Sequence, residues 1–339
     1  MKTLKAYLKK YFIDAMGAMA LGLFASLLIG TIFSTLGKYT GVELFSEINK
    51  FASASSGMAI GVAIAYSMKA HPLVIFSSAT VGYAAYSLGT VIGETTVTAG
   101  PAGSFVAVIV AVEIGMLVSK KTRVDILVTP TVTILSGVLV AKLVCPGIAY
   151  AMYYLGEFVN TATTYQPLLM GIVIAVVVGI VLTLPISSAA LCAMISIGGI
   201  AGGAAAVGCC CQMVGFAACS FRENKWGGVV SQGLGTSMLQ MGNICRNPRI
   251  WIAPTLASAI CGPLSTMIFK LECTGVSAGM GTCGLVGPIG IVSATGTEAM
   301  TWIGIALLCI VLPAVLSIVF TEIFRKIGWI REGDMKLEG

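Results

Sequence analysis

Residues 227–251 read GGVVSQGLGTSMLQMGNICRNPRIW, residues 253–272 read APTLASAICGPLSTMIFKLE, and residues 273–298 read CTGVSAGMGTCGLVGPIGIVSATGTE. The stretch Trp226–Glu298 mixes apolar residues with dense Gly, Pro, Ser, Thr, Gln and Asn, and it carries the carboxylates Glu272 and Glu298. A lipid-exposed helix cannot hold so many breakers, because an unpaired backbone amide or carbonyl in hydrocarbon costs several kcal/mol. Such backbone persists at membrane depth only when wrapped in protein or lining a watery cavity. The stretch is therefore the expected binding and translocation region.

Outside it the chain is ordinary apolar helix. Its 339 residues are 57% hydrophobic and 10% charged, with mean hydropathy +0.96, whereas a soluble domain carries about 25% charged residues. This composition predicts an all-α polytopic protein of the lipid bilayer. At roughly 20 apolar residues per crossing there is room for about ten transmembrane helices. The net charge of +6 is not a nucleic-acid signature, since the basic residues flank helices. The basic N-terminal stub reads as the start of a retained first helix, not a cleaved signal. Most of the eleven cysteines lie in apolar runs and read as small packing hydrophobes. The Cys209-Cys210-Cys211 triplet lacks zinc spacing, so neither metal nor cofactor is expected.

The expected crossings begin with Phe12–Leu36, followed by a polar connection over residues 37–50. Next come Phe51–Met68, Pro72–Ile92, a loop GETTVTAGPAG with Glu94 as an external charge, and Ser104–Val118. Ile126–Val144 follows, then Pro146–Asn160 as an interfacial helix. Leu168–Leu184, Ile186–Val207 and Gly208–Ser220 complete the first eight crossings, and Ile250–Lys270 and Thr301–Phe320 are the last two. Positive residues concentrate on cytoplasmic loops. Placing Lys120–Arg123, Arg222, Lys225, Arg246, Arg249 and Arg325 there forces two segments to enter and return on one side. These are re-entrant hairpins near 226–245 (hairpin 1) and 273–298 (hairpin 2), with N- and C-termini cytoplasmic at the cell membrane. Weak internal symmetry links Gly233–Thr236 (GLGT) with Gly279–Thr282 (GMGT), and Pro185–Cys192 with Pro254–Cys261. A duplicated half-site and plain small-residue bias both explain it.

An ionisable group inside a membrane points to function. Glu298 at the end of hairpin 2 can accept hydrogen bonds from a hydroxylated ligand or cap the following helix. Glu272 reads as a ligand contact or an interfacial anchor. Gln232, Gln240 and Asn243 offer neutral donors and acceptors suited to sugar hydroxyls, with Thr236, Thr282 and Thr297 weaker candidates. Glu113 falls within a crossing and reads as a packing polar group or coupling site. His71, the one histidine, reads as marking a cytoplasmic turn, with proton handling as the alternative. Arg246, Asn247 and Arg249 fit an anionic partner or simple positive-inside anchoring. No catalytic motif is present in credible context.

The run GGVVSQGLGTSMLQMGNICRNPRIWIAPTLASAICGPLSTMIFKLE through GVSAGMGTCGLVGPIG, with LPISSAALC upstream, resembles the membrane subunit IIC of the phosphotransferase system. Within that family the likeness is to the branch that includes the PfoR-type toxin regulators. The resemblance covers most of the chain and is densest over Pro185–Gly290. It implies a ten-helix homodimeric fold, with an N-terminal scaffold and dimerisation group (1–165) and a C-terminal substrate group (166–339) holding both hairpins. Similar sugar carriers hold substrate with a hairpin glutamate in a G-x-T-E-P run. Here Gly296-Thr297-Glu298 is followed by Ala299, and the membrane histidine of those carriers has no counterpart beyond His71. The implied function is a permease for a small polar solute, a sugar or related metabolite, with phosphorylation supplied by separate IIA and IIB phosphocarrier proteins. An ion-coupled secondary transporter of the same fold and a membrane sensor without net transport are the alternatives.

Overall fold

The computed structural model describes residues 10–92, 95–195 and 197–337. Glu94, read above as an external-loop charge, lies outside the described residues. Among those described, six helices are long and apolar enough to cross a membrane. The chain forms two compact units that divide between Tyr153 and Tyr154.

The first unit opens with α1 (residues 10–40), whose ladder is loosened by π-helical turns at Lys10–Ala15 and Phe24–Leu28. The expected polar connection after it is instead helical: α2 is Glu43–Ala54. Its apolar residues recur at helical spacing, and Phe45 packs back on α1, its ring 5.6 Å from that of Phe33. The helices α3 (Ser56–Ser67) and α4 (Pro72–Ser87) touch through small residues. A Cβ on Gly61 would lie 2.1 Å from the Ser78 carbonyl oxygen, and one on Gly82 would lie 2.2 Å from that of Gly57. This is the close backbone approach that a G-x-x-x-G spacing permits between membrane helices.

Helix α4 ends at Ser87, short of the expected Ile92. The loop beyond it contains an antiparallel pair, β1 (Gly89–Ile92) with β2 (Thr95–Thr98). Runs of β-branched residues, Thr90–Ile92 and Thr95–Thr98, pair their backbone groups there, an outcome that polarity alone does not announce. α5 (Gly100–Val118) follows, and its Glu113 forms an ion pair with Lys10 and accepts from Tyr11 Oη at 2.8 Å. At the turns of this unit His71 Nδ1 sits 3.0 Å from Ser119 Oγ. α6 (Asp125–Ala162) is continuous through Pro130 and Pro146, so residues 146–160 are not a separate interfacial helix. A proline removes one backbone bond, and membrane helices tolerate that loss where neighbours repair it.

The second unit is built around α9 (Gly199–Cys219), the most enclosed of the long helices. The expected crossings Ile186–Val207 and Gly208–Ser220 do not exist as such. α7 (Pro167–Thr183) ends before Pro185, a short α8 (Ser188–Met194) follows, and the chain breaks again before α9. α7 and α9 run parallel, since Val178 meets Cys209 (3.7 Å) and Thr183 meets Gln212 (3.5 Å). The broken stretch 184–198 must therefore return the chain to the starting level. α12 (Pro248–Phe269) runs antiparallel to both, with Thr266 bonded to Pro167 (2.8 Å) and Ser258 to Gly208 (3.3 Å). The last helix, α15 (Ala299–Lys326), is again parallel to α9, bringing Thr321 Oγ1 to 2.9 Å from Cys219 Sγ. The second sequence similarity fails structurally, because Pro254–Cys261 lies inside α12 while Pro185–Cys192 straddles a break.

Candidate functional site

Hairpin 1 leaves the Cys219 end of α9. α10 (Phe221–Val230) contains a sharp kink at Lys225 (φ 51°), after which the chain runs inward through a π-helical turn, Ser231–Gly235. Thr236 is extended, and its hydroxyl accepts from Met238 N (3.1 Å) to start the 3₁₀ turn Ser237–Gln240. α11 (Met241–Arg246) brings the chain back. The tip is pinned by Ser237 Oγ, 2.8 Å from Thr183 Oγ1.

Hairpin 2 begins at the opposite end of α9. Residues 271–274 run extended alongside Gly199–Gly203, with Cys273 N donating to Gly199 O (3.2 Å) and Gly275 N to Ile197 O (2.9 Å). A Cβ on Gly203 would fall 1.8 Å from Leu271 O, and one on Gly202 1.9 Å from Cys273 O. Only glycine lets this strand lie against a helix. α13 (Gly275–Ala278) descends, the chain turns at Gly281–Leu285, and α14 (Val286–Thr295) climbs back. Leu285 holds φ 60°, a strained value for a side chain of its size.

The two tips touch. Thr282 Oγ1 donates to the Gly233 carbonyl, so the GLGT and GMGT runs meet in space although their backbones differ. Both threonines are buried, at 3% exposure each.

The other sequence-predicted residues separate into two groups. At the Cys219 end, Gln232, Gln240 and Asn243 are buried and form a ladder. Gln232 Nε2 donates to Ser220 Oγ (2.9 Å), Gln240 Nε2 to Gln232 Oε1 (2.9 Å), and Asn243 Nδ2 to Gln240 Oε1 (2.8 Å). At the Gly199 end, Glu272 is half-buried and its backbone N–H donates to Thr295 Oγ1 (2.8 Å). Thr297 and Glu298 are exposed, and Glu298 stands at the N-cap of α15 without a side-chain capping bond. The ladder meets α9 at Ser220 and the Glu272 strand meets it at Gly203. At about 1.5 Å rise per residue these levels lie about 25 Å apart. One small solute cannot touch both groups at once.

Two features escaped the sequence reading. Gln212 is fully buried in α9, bonded to Thr255 (3.2 Å) and to the Trp251 indole N–H (3.1 Å). A lone carboxamide in the apolar run GCCCQMVG was the available signal. The second is an ion network at the Cys219 end. Arg325 pairs with Glu223 (2.8 Å) and Glu322 (3.3 Å), and Arg222 with Glu322 (3.0 Å). It walls a cavity of about 350 Å³ lined also by Phe221, Trp226 and Ile318. Among the described residues no group of three or more His, Cys, Asp or Glu could hold a metal ion. Cys245 is exposed and the other ten cysteines are buried.

The family model described as "Phosphotransferase system, EIIC" matches residues 13–337. Neither the curated proteins nor the solved structures contain a match.

Proposed function

The chain belongs to the phosphotransferase-system EIIC family, and on that premise we propose that it is a multi-pass membrane permease moving a sugar or related polar solute by alternating access. Separate IIA and IIB proteins supply any phosphorylation. One observation carries the mechanism: the hairpins enter from opposite ends of α9 and touch through Thr282 and the Gly233 carbonyl. Half-penetrating segments that meet from opposite faces divide the path into two approaches, the arrangement expected where irregular backbone lines a transport site.

In this reading the solute binds at the level of the tips, within reach of Thr236 and Thr282. Glu298, Thr297 and Glu272 line the approach at the Gly199 end, where the Glu298 carboxylate accepts hydrogen bonds from solute hydroxyls. Gln232, Gln240 and Asn243 line the other approach. Arg222, Lys225 and Arg325 share the Cys219 end, which the positive-inside rule assigns to the cytoplasm; about ten crossings then bring both termini there. Residues 1–165 serve as the scaffold and homodimer contact, and 166–339 carry the solute.

The test is a thermal-shift screen of small polar metabolites on the purified protein, repeated with Glu298→Gln. A solute that stabilises the wild type and loses its effect in the variant supports the assignment. A hit unchanged by the substitution removes Glu298 from the site. Uptake of the labelled hit into proteoliposomes, with and without phosphoenolpyruvate and soluble partners, then separates phosphotransfer from ion coupling. Binding without uptake under either condition contradicts the permease.

A further inference from the structure

The last helix does not end the ordered chain. Beyond Lys326 the polypeptide turns at Gly328 (φ 78°) and Gly333 (φ 91°) and runs back beneath the open end of hairpin 1. Two of its side chains are anchors, Ile330 at 2% and Met335 at 0% exposure. Trp329 stacks on Phe324, centroids 5.4 Å apart, and Arg249 lies 5.5 Å from its ring.

The main chain of this tail is gripped by carboxamides. Asn247 Nδ2 donates to Trp329 O (3.0 Å), and Asn243 Nδ2 donates to Lys336 O (2.9 Å). Asn224 Nδ2 and Gln240 Nε2 both donate to Met335 O, at 2.8 and 2.9 Å. Asn224 also accepts from Leu337 N through its Oδ1 (2.8 Å). The donors come from both limbs of the hairpin: Asn224 precedes the tip, and Gln240, Asn243 and Asn247 follow it. Gln232 supports Gln240 from behind.

A carboxamide reads a peptide carbonyl without regard to side-chain identity, and it is neutral, so releasing it to water carries no cost of unpairing a charge. Selectivity falls to the two buried apolar anchors and to the Asp334 carboxylate, which accepts from Asn247 Nδ2 at 2.8 Å. While the tail is seated, the two limbs and the end of α15 are joined, and the donors facing the cytoplasmic approach are spoken for.

We propose that Asn224, Gln240, Asn243 and Asn247 form a binding site for a peptide main chain, occupied by residues 329–337 of the same protein, and that seating of this tail locks the open end of hairpin 1. The lock rests on the permease reading only in treating hairpin 1 as a gate; the peptide site stands without it.

Hydrogen–deuterium exchange of the full chain in detergent tests this, comparing wild type with Met335→Lys and Gly333→Val. The first variant puts a charge at a buried anchor and the second forbids the tail's turn. Release of the tail is checked by tryptic cleavage after exposed Arg331. Exchange across residues 231–245 rises about tenfold or more in both variants while 275–295 is unchanged, as expected of a local opening. The nonapeptide WIREGDMKL, added at about millimolar concentration to match a short tether, restores protection. A tail that stays protected from trypsin in both variants overturns the proposal. So does a released tail with unchanged hairpin 1, a rise spread evenly over both hairpins, or a peptide without effect. No solute enters these measurements, so failure of uptake would sink the permease and leave the peptide site standing.

Discussion

Hairpin 1 and hairpin 2 are both rich in glycine and small polar residues, yet they solve the problem of irregular backbone at membrane depth differently. Hairpin 1 satisfies its polar groups with side chains: Gln232, Gln240 and Asn243 bond one another and the C-terminal tail. Hairpin 2 relies at its entry on backbone, laying residues 271–275 against Ile197 and Gly199 at distances that only glycines allow. Equivalent positions in the two similar runs make the contrast sharp. A Cβ on Gly233 would meet nothing closer than 3.6 Å, while one on Gly279 would lie 2.4 Å from Ser188 O. At this pair of positions glycine is permissive in hairpin 1 and obligatory in hairpin 2.

The largest effect should come from breaking the backbone solution. Gly203→Ala or Gly279→Ala forces backbone apart and should cost more than about 3 kcal/mol or prevent folding, read as loss of the monodisperse peak and a lowered Tm. Gly227→Ala in hairpin 1, with open space around it, should change stability by less than about 1 kcal/mol and toward the stable side. Equal losses in both hairpins would erase the distinction.

Next comes the ion network at the foot of hairpin 1. Arg325→Leu leaves Glu223, whose side chain is 4% exposed, as an unpaired buried charge and should cost about 3 kcal/mol. The double variant Arg325→Leu with Glu223→Leu should recover most of it.

Breaking the side-chain solution should cost less than the glycine clashes. Gln240→Leu strands the buried Gln232 side-chain carbonyl, while Met335 O keeps Asn224 and the Asn243 amide keeps Lys336 O, for about 2 kcal/mol. Its loss should concentrate in hairpin 1 and the tail when followed by hydrogen exchange. Thr282→Val keeps the volume near constant and removes the bond between the tips together with the weak contact to Met213 Sδ, about 1 kcal/mol. Smallest of all is Glu298→Gln. An exposed carboxylate should shift Tm by the equivalent of no more than about 0.5 kcal/mol, so any loss of solute affinity in that variant reports on binding alone.

How much of this was legible depended on whether the signal was local. The hairpins announced themselves because Gly, Pro and polar residues cluster at Trp226–Glu298, and charge bookkeeping separated the clusters around a true crossing. The break at 184–198 was hidden, because its residues are apolar and small and read as helix until α7 and α9 are seen to run parallel. α2 was hidden by its polarity, which resembles a loop unless the spacing of Leu44, Ile48 and Phe51 is weighed. Gln232, Gln240 and Asn243 read as a polar group, but Gln240 and Asn243 find partners some ninety residues away in a tail that reads only as basic. Nothing local can reveal that contact. The distance between Glu272 and the ladder was likewise invisible, since it depends on which ends of α9 the two hairpins join.

That separation is the central claim, and accessibility from the two faces of sealed vesicles measures it most directly. Native Cys245 is exposed at the hairpin 1 end, and Thr297→Cys in a Cys245→Ser background reports the hairpin 2 end. A membrane-impermeant maleimide should label Cys245 only from the cytoplasmic face and the cysteine at position 297 only from the opposite face. Labelling of both positions from the same face would contradict the account.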